Sequence, residues 1–338
     1  MKADKFTLVR HFEGSPKPSD FLLESEELAP LQEGEFLCEA EYLSVDPYMR
    51  PYTRHLTPPC TMIGAQVARV VESRCDRFPV GSRVVASLGW RTRTVVRGDM
   101  PTSVHGLRRL PELAGLPASY ALGACGMPGN TAYRGLLELC RPRPGETVAV
   151  TGAAGAVGSL VGQIAKIGGC RVVGFAGTDA KCDWLLSLGF DAAINYRTCA
   201  DVDAALKAAA PAGVDCYFDN VGGALSLRVR RQMNTFGRVA VCGCISGYND
   251  ETGAEERLEI PEKEVLFKQL RMEGFIVTRW DSEDLWGVGI RQMAAWIKEG
   301  KVKVRETITE GFQNMPQAFI GMLEGKNTGK ATVKVATE

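Results

Sequence analysis

Thr151-Gly152-Ala153-Ala154-Gly155-Ala156-Val157-Gly158 lies between the apolar run Thr147-Val148-Ala149-Val150 and a segment, Leu160 to Ile167, with helical spacing. A glycine-rich turn in that setting bends tightly, lets backbone N–H groups approach a pyrophosphate, and packs the following helix closely on its sheet. Ala153 replaces the first glycine of the usual fingerprint. The strand before and the helix after still supply the confirming context. Arg171-Val172-Val173-Gly174-Phe175 then closes a strand–turn–helix–strand unit.

Working outward, the alternation continues through Trp184 to Gly189, Ala192-Ala193-Ile194, the Ala-rich stretch near Ala204 to Ala210, Cys216 to Asp219 and Gly237 to Val241. Repeated strand and helix predict an α/β fold with a doubly wound parallel sheet, the Rossmann arrangement. Upstream, from Phe6 to about Val96, short β-rich runs such as Phe36-Leu37-Cys38, Gln66 to Glu72 and Arg83 to Ala86 predict a β-rich, barrel-like domain. Gly247 to Glu262 reads as an exposed polar loop and Met293 to Ile297 as amphipathic. The tail, from Val302-Lys303-Val304 through Ala331 to Val335, is strand-like and is expected to rejoin the first domain. Two domains suit 338 residues, since a single core stops growing near roughly 250–300.

The second strand ends near Phe175 to Thr178, about 20 residues past the glycines, where an NAD-specific site carries an acid for the ribose hydroxyls. None stands there; Asp179 comes slightly later, then Lys181, and Tyr196-Arg197 follow the next apolar run. A cation and a hydroxyl suit a 2′-phosphate, which favours NADP over NAD. Arg197 reads as readily as a solvated side chain.

Lys+Arg and Asp+Glu number 40 each, so the overall charge gives no footprint for nucleic acid or an anionic membrane. The N-terminus lacks the pattern of a signal peptide and no stretch is apolar enough to span a bilayer. Eleven scattered cysteines read as free thiols in a reducing compartment, so a cytoplasmic location is expected. A zinc site needs thiolate, imidazole and carboxylate ligands, or four closely spaced cysteines for a structural lobe. His11, His55 and His105 have no Glu beside them, and Cys242-x-Cys244 is too tight and isolated; no zinc is expected. Hydride addition to an activated carbon–carbon double bond needs no metal, because the electrons flow to a carbonyl oxygen that a hydroxyl or N–H can stabilise.

Leu43-Ser44-Val45-Asp46-Pro47-Tyr48-Met49-Arg50, Gly126-Met127-Pro128-Gly129-x-Thr131-Ala132-Tyr133, Ala153 to Gly158, Tyr217 to Gly223 and Gly311-Phe312-x-Asn314-Met315-Pro316 together resemble the zinc-independent medium-chain dehydrogenase/reductases over nearly the whole chain. The resemblance implies a GroES-like substrate domain at 1–124 and 303–338, a Rossmann NADP-binding domain at 125–302, and a homodimer. It implies NADP(H) contacts from Gly155, Ala156, Val157, Gly158, Lys181, Tyr196, Asn220, the run Cys242, Gly243, Cys244, Ile245, Ser246, Gly247 and Tyr248, then Phe275, Ile276, Val277 and Asn327. The implied activity is reduction of the conjugated double bond of 15-oxoprostaglandins, 2-alkenals and enones, with 12-hydroxyl oxidation of leukotriene B4 as a reverse-type reaction.

Tyr48 and Tyr248 are the catalytic candidates, and Tyr48, Arg50, Met127 and Phe267 the candidates for the substrate pocket. A tyrosine after Asp-Pro can equally pack a turn, and Arg50 can pair structurally. Phe267 stands where relatives often carry a tyrosine, so a hydroxyl is missing from that pocket position. Two alternatives stay open: a quinone oxidoreductase of the same superfamily, and a non-enzymatic, crystallin-like NADPH binder.

Overall fold

The computed structural model describes residues 1–103, 106–249 and 262–335. Most of the polar stretch Gly247 to Glu262 lies outside these residues, as does His105. The chain divides into two compact units, Met1–Gly126 with Asp281–Leu285 and Glu306–Glu338, and Met127–Trp280 with Trp286–Arg305.

The first unit is β-rich. A seven-stranded sheet runs Glu306–Glu310, Lys330–Lys334, Glu35–Val45, Gln66–Ser73, Arg83–Ala86, Leu107–Arg109, with Arg93–Arg97 also paired to Glu35–Val45. Glu35–Val45 is long enough to change partners: residues 35–39 pair with Arg93–Arg97 and residues 42–45 with Lys330–Lys334. Register shifts at Leu37/Cys38 and Ala40/Tyr42 are the bulges that bend such a strand and raise its twist. A smaller sheet orders Phe21–Glu27, Lys2–Leu8 and Cys60–Thr61. Its core is aromatic: Trp90 is fully buried, stacks on Phe21 at 5.3 Å and meets Phe319 edge-on at 5.8 Å.

The second unit carries a six-stranded parallel sheet in the order Ala192–Asn195, Arg171–Ala176, Thr147–Val150, Val214–Asp219, Met233–Val241, Arg271–Gly274. Every residue of Thr147–Val150 is buried, as a central strand covered on both faces demands. Helix Gly158–Ile167 buries Leu160, Val161, Ile164 and Ala165. Helix Asp179–Ser187 is capped by Thr178, whose hydroxyl accepts from the Lys181 N–H. The sheet order reverses between Thr147–Val150 and Val214–Asp219, and ligands of such sheets bind outside the carboxyl ends at that switch point.

Val302-Lys303-Val304, expected as strand, is not one; the tail becomes a strand only at Glu306. The Gln163 side chain donates to the Lys303 carbonyl at 3.0 Å and accepts its N–H at 2.7 Å, so the backbone of Lys303 is met by a side-chain amide instead of a neighbouring strand.

Candidate active site

In the second unit the glycine turn is tied to both flanking strands. The Thr151 N–H donates to the Phe218 carbonyl at 3.2 Å and the Ala153 N–H to the Phe175 carbonyl at 3.0 Å. The left-handed backbone falls on Gly152, at φ 58°, so position 153 accepts alanine without strain. At Gly158 an added Cβ would lie 2.4 Å from the Gly152 carbonyl oxygen and 2.7 Å from the Ala153 Cα. That glycine brings the helix onto the turn. At Gly155 there is more room, and an added Cβ would meet only the Gly152 oxygen, at 3.3 Å.

Across the switch point Asp219, buried, organises the opposing strand end. Its Oδ1 accepts from the Thr151 hydroxyl at 3.0 Å and from the N–H groups of Val221 and Gly222 at 3.0 and 2.9 Å; its Oδ2 accepts from Ser226 at 2.6 Å. Asn220 donates from Nδ2 to the Thr151 carbonyl at 2.7 Å. The Cys242 and Gly243 N–H groups both donate to the Asp219 carbonyl, and Ser246 donates from its N–H and hydroxyl to the Val221 carbonyl. The turn Gly155 to Gly158, Asn220 and the run Cys242 to Gly247 are therefore brought to one end of the sheet. Burial, with Asp219 adding to it, pushes the Cys242 thiol up to about 12. Gly243 faces Tyr248, whose hydroxyl would lie 3.3 Å from an added Cβ.

A second cluster forms around Gly177, where an added Cβ would sit 3.1 Å from Arg197 Nε and 3.2 Å from the Tyr196 hydroxyl. Burial and then the Arg197 guanidinium hold the Lys181 ammonium below the ordinary lysine range. Asp179 is engaged elsewhere, its Oδ1 accepting from Asn195 Nδ2 at 2.7 Å. Two cations and a phenol thus stand where the acid of an NAD site would. Arg197, which its sequence position left open, belongs to this cluster; the one local sign is Asn195, whose Oδ1 accepts the Arg197 N–H at 3.2 Å.

The remaining residues of this unit are more scattered. The Phe275 ring packs 6.0 Å from Phe218 and 5.5 Å from Trp280, Ile276 is exposed and Val277 buried. Met127 opens the helix Met127–Arg134, its carbonyl accepting from Thr131 at 2.8 Å. Phe267 ends the helix Glu262–Phe267 and is 73% exposed.

In the first unit Tyr48 and Arg50 share the short turn that follows Glu35–Val45. Burial, then Asp46 and Tyr52, push the Tyr48 phenol well above the ordinary range, so its hydroxyl keeps its proton. Arg50 is buried, donates to the Gly14 carbonyl at 2.9 Å and lies 5.2 Å from the Phe12 ring centroid. Asn327 is half-buried and donates to the Gly329 carbonyl at 2.8 Å. His11 and His55 are exposed. Among the described residues no three His, Cys, Asp or Glu side chains come together to hold a metal.

Sheet order, glycine turn and switch point together define a dinucleotide-binding domain of the Rossmann class. The family model described as the N-terminal domain of oxidoreductase matches residues 4–104, and the one described as zinc-binding dehydrogenase matches residues 156–293. Among the described residues, no cluster of metal-ligating side chains accompanies the second match. Prostaglandin reductase 1 of Rattus norvegicus is 52% identical, covering 99% of both chains. The NADP(+)-dependent 2-alkenal reductase of Nicotiana tabacum is 38% identical over 98% of this chain and 97% of its own. The solved structure of CurA from Vibrio vulnificus in complex with NADPH superposes with a TM-score of 0.90 at 36% identity, covering 99% of this chain and 100% of that one. The chain belongs to the zinc-independent medium-chain dehydrogenase/reductase family, in the group of the prostaglandin reductase 1 proteins.

Proposed function

We propose that this protein is an NADPH-dependent reductase of the carbon–carbon double bond conjugated to a carbonyl, acting on 15-oxoprostaglandins, 2-alkenals and related enones. The observation that carries the cofactor choice is the pairing of Lys181 and Arg197 beside the Tyr196 hydroxyl around Gly177. Like charges held together in this way favour an anion between them. NADPH fits the residues present in the second unit: the 2′-phosphate at Lys181, Tyr196 and Arg197, the pyrophosphate at Gly155 and along Ala156, Val157 and Gly158, and the nicotinamide half toward Asn220, Cys242 to Tyr248 and the Phe275–Val277 backbone. When bound, it supplies the hydride for the β-carbon.

The chain's own contribution is to bind the carbonyl and stabilise the charge that gathers on its oxygen. Tyr48 suits this because burial keeps its hydroxyl protonated and able to donate; Tyr248 is the alternative candidate donor, in the second unit. Arg50 holds the loop at Gly14 against the Tyr48 segment; Met127 is the candidate for apolar contact in the second unit, whereas Phe267, 73% exposed, is not placed to line a pocket there. Relatives named for prostaglandin and alkenal reduction support the substrate class, and the quinone reductase and crystallin-like readings have less behind them.

A homodimer and a cytoplasmic location complete the proposal. Arg271–Gly274 is the outermost strand of its sheet, and Phe236, Leu266 and Phe267 are exposed close to it, the Phe236 N–H donating to the Lys268 carbonyl. No helix among the described residues is long and apolar enough to cross a membrane.

The test is NADPH oxidation followed by nicotinamide absorbance, with a 15-oxoprostaglandin, a 2-alkenal and a quinone offered separately and NADH as control. A saturated carbonyl product from the first two is expected. Turnover of the quinone alone would overturn the proposal.

A further inference from the structure

Lys330 opens the buried strand Lys330–Lys334 and is only 2% exposed. A buried ammonium is costly unless charge and hydrogen bonds meet it. Here they do. Its Nζ donates to the Val45 carbonyl at 2.7 Å and to Asp46 Oδ1 at 2.8 Å, and Asp46 Oδ2 accepts from the Ser44 hydroxyl. Ser44 and Asp46 are buried as well. The lysine stem lies along Gly123, where an added Cβ would meet its Cγ at 3.3 Å. Glu306 also faces this charge: burial raises its carboxyl, while a Ser119 hydrogen bond and Lys330 act the other way.

An apolar residue at 330 would fill the strand without desolvating a charge, so the use of the cation lies in what it grips. It grips the point where the chain leaves Glu35–Val45 and turns into the segment bearing Tyr48. From there the Met49 N–H donates back to the Asp46 carbonyl at 3.2 Å and the Tyr52 N–H to the Tyr48 carbonyl at 3.1 Å. A shift of Asp46 is therefore handed directly to the Tyr48 backbone.

We propose that Lys330 is a positioning residue for the reductase, fixing the Val45 carbonyl and the Asp46 carboxylate so that the Tyr48 hydroxyl is held where the substrate carbonyl meets it. The inference rests on the reading of Tyr48 given above.

The experiment compares Lys330→Met, the charge-balanced Lys330→Met/Asp46→Asn, and each of these with Tyr48→Phe added. The balanced variant keeps the test alive if the single one, left with an unpaired buried carboxylate, fails to fold. Hydrogen–deuterium exchange is read by peptide, NADPH affinity by fluorescence, and kinetics with a 2-alkenal. The expected result is faster exchange confined to residues 43–52, unchanged NADPH affinity, and kcat for the 2-alkenal lower by about ten- to a hundredfold, the scale of a misplacement near 1 Å. Tyr48→Phe should then add little to the Lys330 variants.

Unchanged exchange at 43–52 overturns the inference, as does loosening that extends to residues 147–176 with weaker NADPH binding. A full additional loss from Tyr48→Phe in the Lys330 variants overturns it alone. If Tyr48→Phe by itself leaves turnover intact, the reading of Tyr48 falls and the inference falls with it.

Discussion

Arg197 stands close enough to Lys181 to depress the lysine's proton affinity, and the Tyr196 hydroxyl shares the face of Gly177 with the Arg197 guanidinium. Removing either cation should therefore act on one cofactor and spare the other. Charge-assisted hydrogen bonds contribute roughly 1.5–3 kcal/mol, so Lys181→Ala and Arg197→Ala should each raise the KM for NADPH by about ten- to a hundredfold. The KM for NADH should barely move. Equal losses with both nucleotides would sink the phosphate assignment.

The same pair makes cofactor binding pH-dependent. With its folded value depressed, Lys181 is deprotonated in the free folded protein between that value and the ordinary lysine range, where the unfolded chain still holds the proton. The unfolded state binds more protons there, so this group's contribution to stability rises with pH through that window. A bound phosphate restores the charge, so NADPH binding should take up protons in the same window. Calorimetry at high pH in two buffers of different ionisation enthalpy reads this directly; identical heats would contradict it, and Lys181→Met should abolish the difference.

Gly155 and Gly158 should respond differently to alanine. At Gly158 the new methyl meets backbone at 2.4 Å, and overpacking of that kind costs about 1–3 kcal/mol; the variant should melt early even without ligand. At Gly155 the methyl meets one oxygen at 3.3 Å. That variant should fold nearly normally and lose the rise in Tm that NADPH confers. Thermal melts with and without NADPH separate the two.

Thr151→Val keeps the shape of a fully buried side chain but removes the hydroxyl that donates to Asp219 and accepts the Asn220 N–H at 3.2 Å. Leaving buried groups unpaired costs about 1–3 kcal/mol. A lower urea midpoint with an unchanged m-value is expected, and an unaltered midpoint would count against Asp219 as the organiser of the switch point.

The parallel sheet was legible because its signals are local. Thr147–Val150 is an uninterrupted apolar run, and a glycine turn followed by helical spacing has few other readings. The nucleotide pocket was less so. Asp179 sits in sequence where an acid could reach a ribose, and only folding shows it bonded to Asn195. Arg197 looks like any surface arginine until a neighbouring strand places it near Lys181. Val302 to Val304 has strand composition, yet Gln163 on a helix far back in the sequence bonds both backbone groups of Lys303, and the Val302 N–H donates to the Trp296 carbonyl. Arg50 looked equally able to bind substrate or pair structurally, and its partner, the Gly14 carbonyl, lies 36 residues away. Each of these outcomes depends on long-range partners that composition does not encode.

The partner exchange along Glu35–Val45 carries a consequence for how the molecule is made. One half of that strand can zip to Arg93–Arg97 soon after it leaves the ribosome, but the other half waits for Lys330–Lys334, whose lysine reaches back 285 positions to the Val45 carbonyl. Such distant closure is slow compared with neighbouring contacts. The Rossmann strands from Thr147 to Gly274 are complete by then and can assemble as a unit during synthesis. The segment carrying Tyr48 is thus set late, and the chain gains its proposed reductive chemistry only after Lys330–Lys334 has been translated.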